Sequence, residues 1–97
     1  MADLEAFTAG DFAQLLHERF RLYPAGAAPF EVELIEVSET DQGSARRQFS
    51  LVFRGGPAPP LPQRIHAVEH DRLARLEIFL VPLGPDAEGQ RYEAVFT

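Results

Sequence analysis

Five segments of this chain carry apolar side chains at every second position, and no segment of helical period separates one from the next. They are Phe20-Leu22, Phe30-Val32-Leu34, Phe49-Leu51-Phe53, Leu76-Ile78-Leu80 and Tyr92-Ala94-Phe96. A period of two belongs to a strand with one buried and one solvated face. Parallel strands need a crossover of a dozen or more residues, usually a helix, so the pattern argues for antiparallel pairing and against βαβ units.

One helix precedes the strands. Thr8 followed three residues later by Asp11 resembles a capping box with Asp in place of Glu. Phe12, Leu15 and Leu16 then recur at the spacing of one helical face, and Phe7 is placed to pack back on that face as a staple. This predicts a helix over residues 9–17. The first strand follows and stops at Pro24. In the second, alternation slips at Leu34-Ile35 and Val37 changes parity, which predicts a bulge or a strand apolar on both faces. Thr40-Asp41-Gln42-Gly43 reads as a turn.

Gly55-Gly56 and four prolines among residues 57–62 end the third strand. A fourth strand is expected over 64–70, with Ile65 and Val68 as its apolar contributors, then a tight turn at Asp71-Arg72. The fifth runs over 76–81, residues 82–89 form a loop, and 91–97 is the last strand. The expected fold is a single mainly-β domain over 1–97. Its N-terminal helix is followed by six antiparallel strands in a meander, curled into a small barrel or two packed sheets. The helix plugs an end or a face.

Composition removes several function classes. The chain has 97 residues, enough for one core, and no Cys, which excludes disulfides, thiolate catalysis and Cys-based zinc sites. There is no Lys and no Asn, both of which have AT-rich codons, which points to a GC-rich bacterial genome. The missing Lys also removes Schiff-base chemistry and a phosphate-loop lysine. Nine Arg against fifteen acidic residues give a net charge of −6, and the one adjacent basic pair is Arg46-Arg47. Nucleic-acid affinity comes mostly from clustered cations, so no nucleic-acid partner is expected. No apolar run reaches the roughly 18 residues of a membrane helix. Asp3 and Glu5 make a poor secretory n-region, so a cytoplasmic location and no membrane partner are expected.

The fifth strand is the informative one. Leu76, Ile78 and Leu80 take one face, but Phe79 and Val81 take the other. Val52, Ile35 and Val95 also sit opposite the main apolar faces of their strands. A small barrel has a single interior, and burying a Phe or Val is worth roughly 1.5–3 kcal/mol, so this second face calls for a cover. Two covers remain open: the N-terminal helix lying over it, or a second subunit or protein partner.

Chemical motifs are sparse. His66-Ala67-Val68-Glu69-His70 matches the H-x-x-E-H zinc motif, whose chemistry needs a helix to converge both His on one metal. Here it lies at strand positions, where His66, Val68 and His70 share a face and Glu69 points to the other. Pro57-Ala58-Pro59-Pro60 begins a PxxP-containing stretch, read as a proline-stiffened loop able to serve as a rigid contact. The three Ser (Ser38, Ser44, Ser50) form no nucleophile elbow. Glu31, Glu33, Glu36 and Glu39 read as a solvated strand face, and Asp86 with Glu88 does not have EF-hand spacing.

In order along the chain stand the Phe12 helix, Phe49-Ser-Leu-Val-Phe-Arg-Gly55, Leu61-Pro-Gln63, Glu69-His70, Phe79-Leu-Val-Pro82 and Tyr92-Glu-Ala-Val-Phe96. This series resembles a family of small bacterial proteins known as a domain of unknown function, over nearly the whole chain. The resemblance implies a β-rich fold, brings no catalytic residues, and implies a genomic place beside phage-tail-collar-like proteins. Arg64-Ile65-His66 and Arg72-Leu73-Ala74-Arg75 replace the family's more usual aromatic and Gly positions.

The expected function is therefore a non-enzymatic protein-interaction or assembly module, acting by self-association or by docking onto a larger, phage-tail-like structure. Its interaction face would be Phe79, Val81, Val52, Ile35 and Val95. The alternative is a small-ligand or metal-binding β-barrel, a minor hydrolase, using His66, Glu69 and His70. No cofactor is expected.

Overall fold

A computed structural model describes residues 8–40 and 48–96. The elements are α1 (Ala9–Ala13), β1 (Arg19–Tyr23), β2 (Phe30–Thr40), β3 (Gln48–Arg54), β4 (Arg64–His70), β5 (Leu73–Asp86) and β6 (Gly89–Phe96). All strand pairs are antiparallel, and they close a barrel in the order β1-β2-β3-β6-β5-β4. The expected Phe7 staple, the turn at Asp41-Gln42-Gly43 and the Arg46-Arg47 pair lie outside the described residues.

The capping box is present: Thr8 N–H donates to Asp11 Oδ2 at 2.8 Å, and Asp11 N–H donates to Thr8 Oγ1 at 3.3 Å. The helix is shorter than its apolar spacing predicts. Beyond Ala13 the chain tightens into turns, with Leu15 N–H donating to the Phe12 carbonyl and Leu16 N–H to that of Ala13. His17, at φ 72°, then donates its N–H to the Leu34 carbonyl at 2.7 Å, and Leu34 N–H donates to the Glu18 carbonyl. These bonds join the chain to β2 before β1 formally begins, so the backbone has no donor left to continue the helix.

Alternation puts Phe20, Leu22, Val32, Leu34, Leu51 and Phe53 inside, all buried. The slip at Leu34-Ile35 is a bulge: the β2–β3 register shifts between Leu34 and Glu36, after which Val37 pairs with Leu51 and faces the core. Residues 82–86, expected as loop, instead extend β5, with a second register shift between Pro82 and Gly84. The prolines are tolerated because β4 begins opposite Leu80, so from there on β5 is paired on one side, to β6.

A single up-and-down meander would place β4 next to β3. Instead two three-stranded meanders meet along two seams, β1–β4 and β3–β6. The physical reason is the proline-rich stretch after β3. It cannot form a tight hairpin, and it carries the chain across the barrel mouth to the opposite wall. There Leu61 packs on the core and its N–H donates to Tyr92 Oη at 2.8 Å. At the other mouth, Phe12 packs on Phe49 and Phe96, whose own rings stack 4.5 Å apart. Helix and proline loop thus close the two ends.

Candidate functional site

Because α1 closes a barrel end, it leaves the outer face of β4, β5 and β6 uncovered. Phe79 is 49% exposed and Val95 58%. Ile65, an apolar contributor to the fourth strand in the sequence, points outward opposite Phe79 and is 61% exposed. The inner positions of β4 go instead to His66, Val68 and His70. β5 and β6 pair from Val81–Glu93 onward, and Phe79 and Val95 share the outward parity two residues beyond that last pair. Ile65 and Phe79, paired across β4 and β5, and the outward Val95 on β6 are the exposed apolar row of this face.

The other expected members of this face are placed differently. Val81 is half-buried beside Glu93. Val52 is buried, in a row between Glu36 and Glu93, and Ile35 sits half-buried in the β2 bulge. The accessible part is thus narrower than the set of off-face residues implies, and it includes one residue that set lacked.

Charges border the row. Glu77, opposite Ala67, lies one outward position from Phe79 along β5, and Glu93 one outward position from Val95 along β6. Each flanks the row at roughly 6–7 Å along its strand. Among the described residues, neither has a hydrogen-bond or ion-pair partner. The other acids among the described residues are engaged. Glu31 pairs with Arg19, Glu33 with His17, and Glu18 with His70 and Arg72.

Elsewhere the outer wall is tied down by ion pairs along the seams. Arg21 donates to Glu69 Oε1 from Nη2 at 2.9 Å and to Asp71 at 3.0 Å, and Tyr23 Oη donates to the same Glu69 oxygen at 3.1 Å. The Arg75 guanidinium stands 4.5 Å over the Tyr23 ring. Hydrogen bonds from Arg21 and then Tyr23 hold the Glu69 carboxyl below its usual range. At the β5–β6 hairpin tip, Arg54 pairs with Asp86 at 3.3 Å and Glu88 at 2.9 Å. Asp86 is lowered first by the Glu88 backbone N–H and then by Arg54.

The H-x-x-E-H residues fall as strand geometry requires, with both His inward and Glu69 outward. His66 Nε2 donates to the Pro62 carbonyl at 3.1 Å, fastening the proline loop. His70 accepts the Arg72 N–H on Nδ1 and donates from Nε2 to Glu18 at 2.8 Å, with its ring 4.7 Å from that of Phe20. The two rings are separated by four strand positions, about 13 Å. Their polar contacts hold opposite barrel ends, and Glu69 belongs to the Arg21 seam. The structure does not bring the three residues together.

A model of the family described as Domain of unknown function (DUF6916) matches residues 7–96. No curated protein and no solved structure matches the chain.

Proposed function

The chain belongs to the DUF6916 family, a domain of unknown function, and within it we propose that this barrel is a non-enzymatic protein-interaction module. A protein partner or a second copy docks on the outer face of β4, β5 and β6. The observation that supports this is the row Ile65-Phe79-Val95, three large apolar side chains that neither the helix nor the proline loop covers. Each of its residues lies on a paired strand, Ile65 with Phe79 and Val95 with Ser50, so the row is presented from the barrel wall rather than from a loop. The finer reading, an accessory role in a bacterial phage-tail-like assembly, rests on the resemblance of the strand motifs.

Selection of a displayed random-peptide library on the wild-type barrel, counter-selected on Phe79→Ser, tests the proposal, alongside sedimentation velocity over a wide concentration range. The expected result is binding, by peptide or by a second copy, that Phe79→Ser abolishes while the barrel still unfolds cooperatively, with a melting temperature lowered by no more than about 8 °C. A concentration-independent monomer that also yields no Phe79-dependent binder overturns it.

A further inference from the structure

Resting on that reading, we infer that the occupant of this face is a basic-flanked apolar segment of another protein, not a second copy of this chain. Charge distinguishes the two occupants. The row Ile65-Phe79-Val95 lies between Glu77 on one side and Glu93 on the other. These are the two carboxylates of the described strands left without a partner, and the other acids of those strands are engaged. Glu93 is moreover half-buried, where an unpaired charge gains most from a cation brought to it.

A second copy is the poorer fit. It would bring two more unpaired carboxylates to the same surface, while the cations next along each strand, Arg75 beside Glu77 and Arg91 beside Glu93, are already taken up by the Tyr23 ring and the Gly84 carbonyl. Two like chains of net charge −6 also repel as they approach. Three exposed apolar side chains make a patch below the roughly 800 Å² per partner of a stable interface between globular proteins, but long enough for an extended segment. The complementary segment carries apolar side chains over the row and Arg or Lys on both sides of them.

The composition of the selected peptides reads this directly. With the wild-type barrel at low salt, Phe79-dependent binders are expected to be apolar with Arg or Lys flanks, and to weaken about tenfold or more at high salt. Selection on a Glu77→Arg/Glu93→Arg barrel is expected to invert the flanks to Asp or Glu. Phe79-dependent binders with no charge bias, or the same basic bias on the double variant, overturn the inference and leave the interaction face standing. A Phe79-dependent dimer in sedimentation, with no peptide enriched, overturns it in favour of a second copy. Absence of both binders and dimer removes the face itself.

Discussion

The phenolic oxygen of Tyr92 accepts the Leu61 backbone N–H at 2.8 Å, and this bond fixes the proline-rich crossing over one mouth of the barrel. Tyr92 is fully buried and Leu61 is half-buried, so the N–H has no easy substitute acceptor. Replacing Tyr92 with Phe keeps the ring and removes the acceptor. The expected cost is about 1–3 kcal/mol, with faster amide exchange at Leu61. Thermal unfolding together with exchange checks it, and unchanged exchange at Leu61 would show that the bond does not hold the loop.

The start of the same crossing depends on glycine. Gly56 has φ +92°, and a Cβ there would collide with the Phe30 ring. Gly26 also has positive φ, at +75°, but open space around it. Gly26→Ala is expected to cost about 1–2 kcal/mol from backbone strain alone. Gly56→Ala carries a steric penalty of about 1–3 kcal/mol more. Equal denaturation midpoints for the two variants would contradict the packing of Phe30 against the loop.

Inward and outward positions on β5 can be separated by a pair of neighbours. Leu80 is fully buried, whereas Phe79 is 49% exposed. Leu80→Ala is expected to cost about 2–5 kcal/mol. Phe79→Ser should cost about 1 kcal/mol or less, since it loses only partial burial. Chemical denaturation of the two variants measures the difference, and a larger loss at Phe79 would reverse the assignment of faces.

Acid sensitivity follows from Glu69 and Asp86, held below ordinary values of 4.5 and 3.8. A carboxylate whose folded pKa is depressed stabilises the fold above its unfolded pKa, and that contribution is lost as pH falls through the folded value. These two groups therefore add no slope above about pH 5.5 and a falling limb below the ordinary values. Glu69→Gln is expected to lower the melting temperature at neutral pH and to flatten the acid limb. Melting curves from pH 7 downward check this, and an unchanged limb would show that the Arg21 seam does not contribute to it.

Strand positions were legible in the sequence because alternation reports directly which side chains face a core. Thr8 and Asp11 announced the helix start, and the parity change at Val37 announced the bulge. The helix end was not legible, because it depends on His17 giving its N–H to Leu34, a partner known only once β2 is in place. The extension of β5 through Pro82 and Pro85 was hidden for a similar reason: proline reads as loop until one side of the strand is known to be unpaired. The outward placement of Ile65 was not legible because two His occupy the inner face of β4, which reverses the usual link between hydropathy and burial. Pairing β4 against β5 and placing Ile65 opposite Phe79 would have found it. The lack of partners at Glu77 and Glu93 emerges only when the other acids are seen engaged.

Two halves that share seams also share a vulnerability. Cleavage within residues 57–62 would release an N-terminal half and a C-terminal half, each a three-stranded sheet with two raw edges and an unroofed apolar side. Neither half has a closed interior of its own, and each exposes the strand that the other requires, β1 seeking β4 and β3 seeking β6. Mixed together, such halves should reconstitute the whole by mutual templating. The barrel thus lends itself to a split reporter, whose reassembly can be watched from either piece.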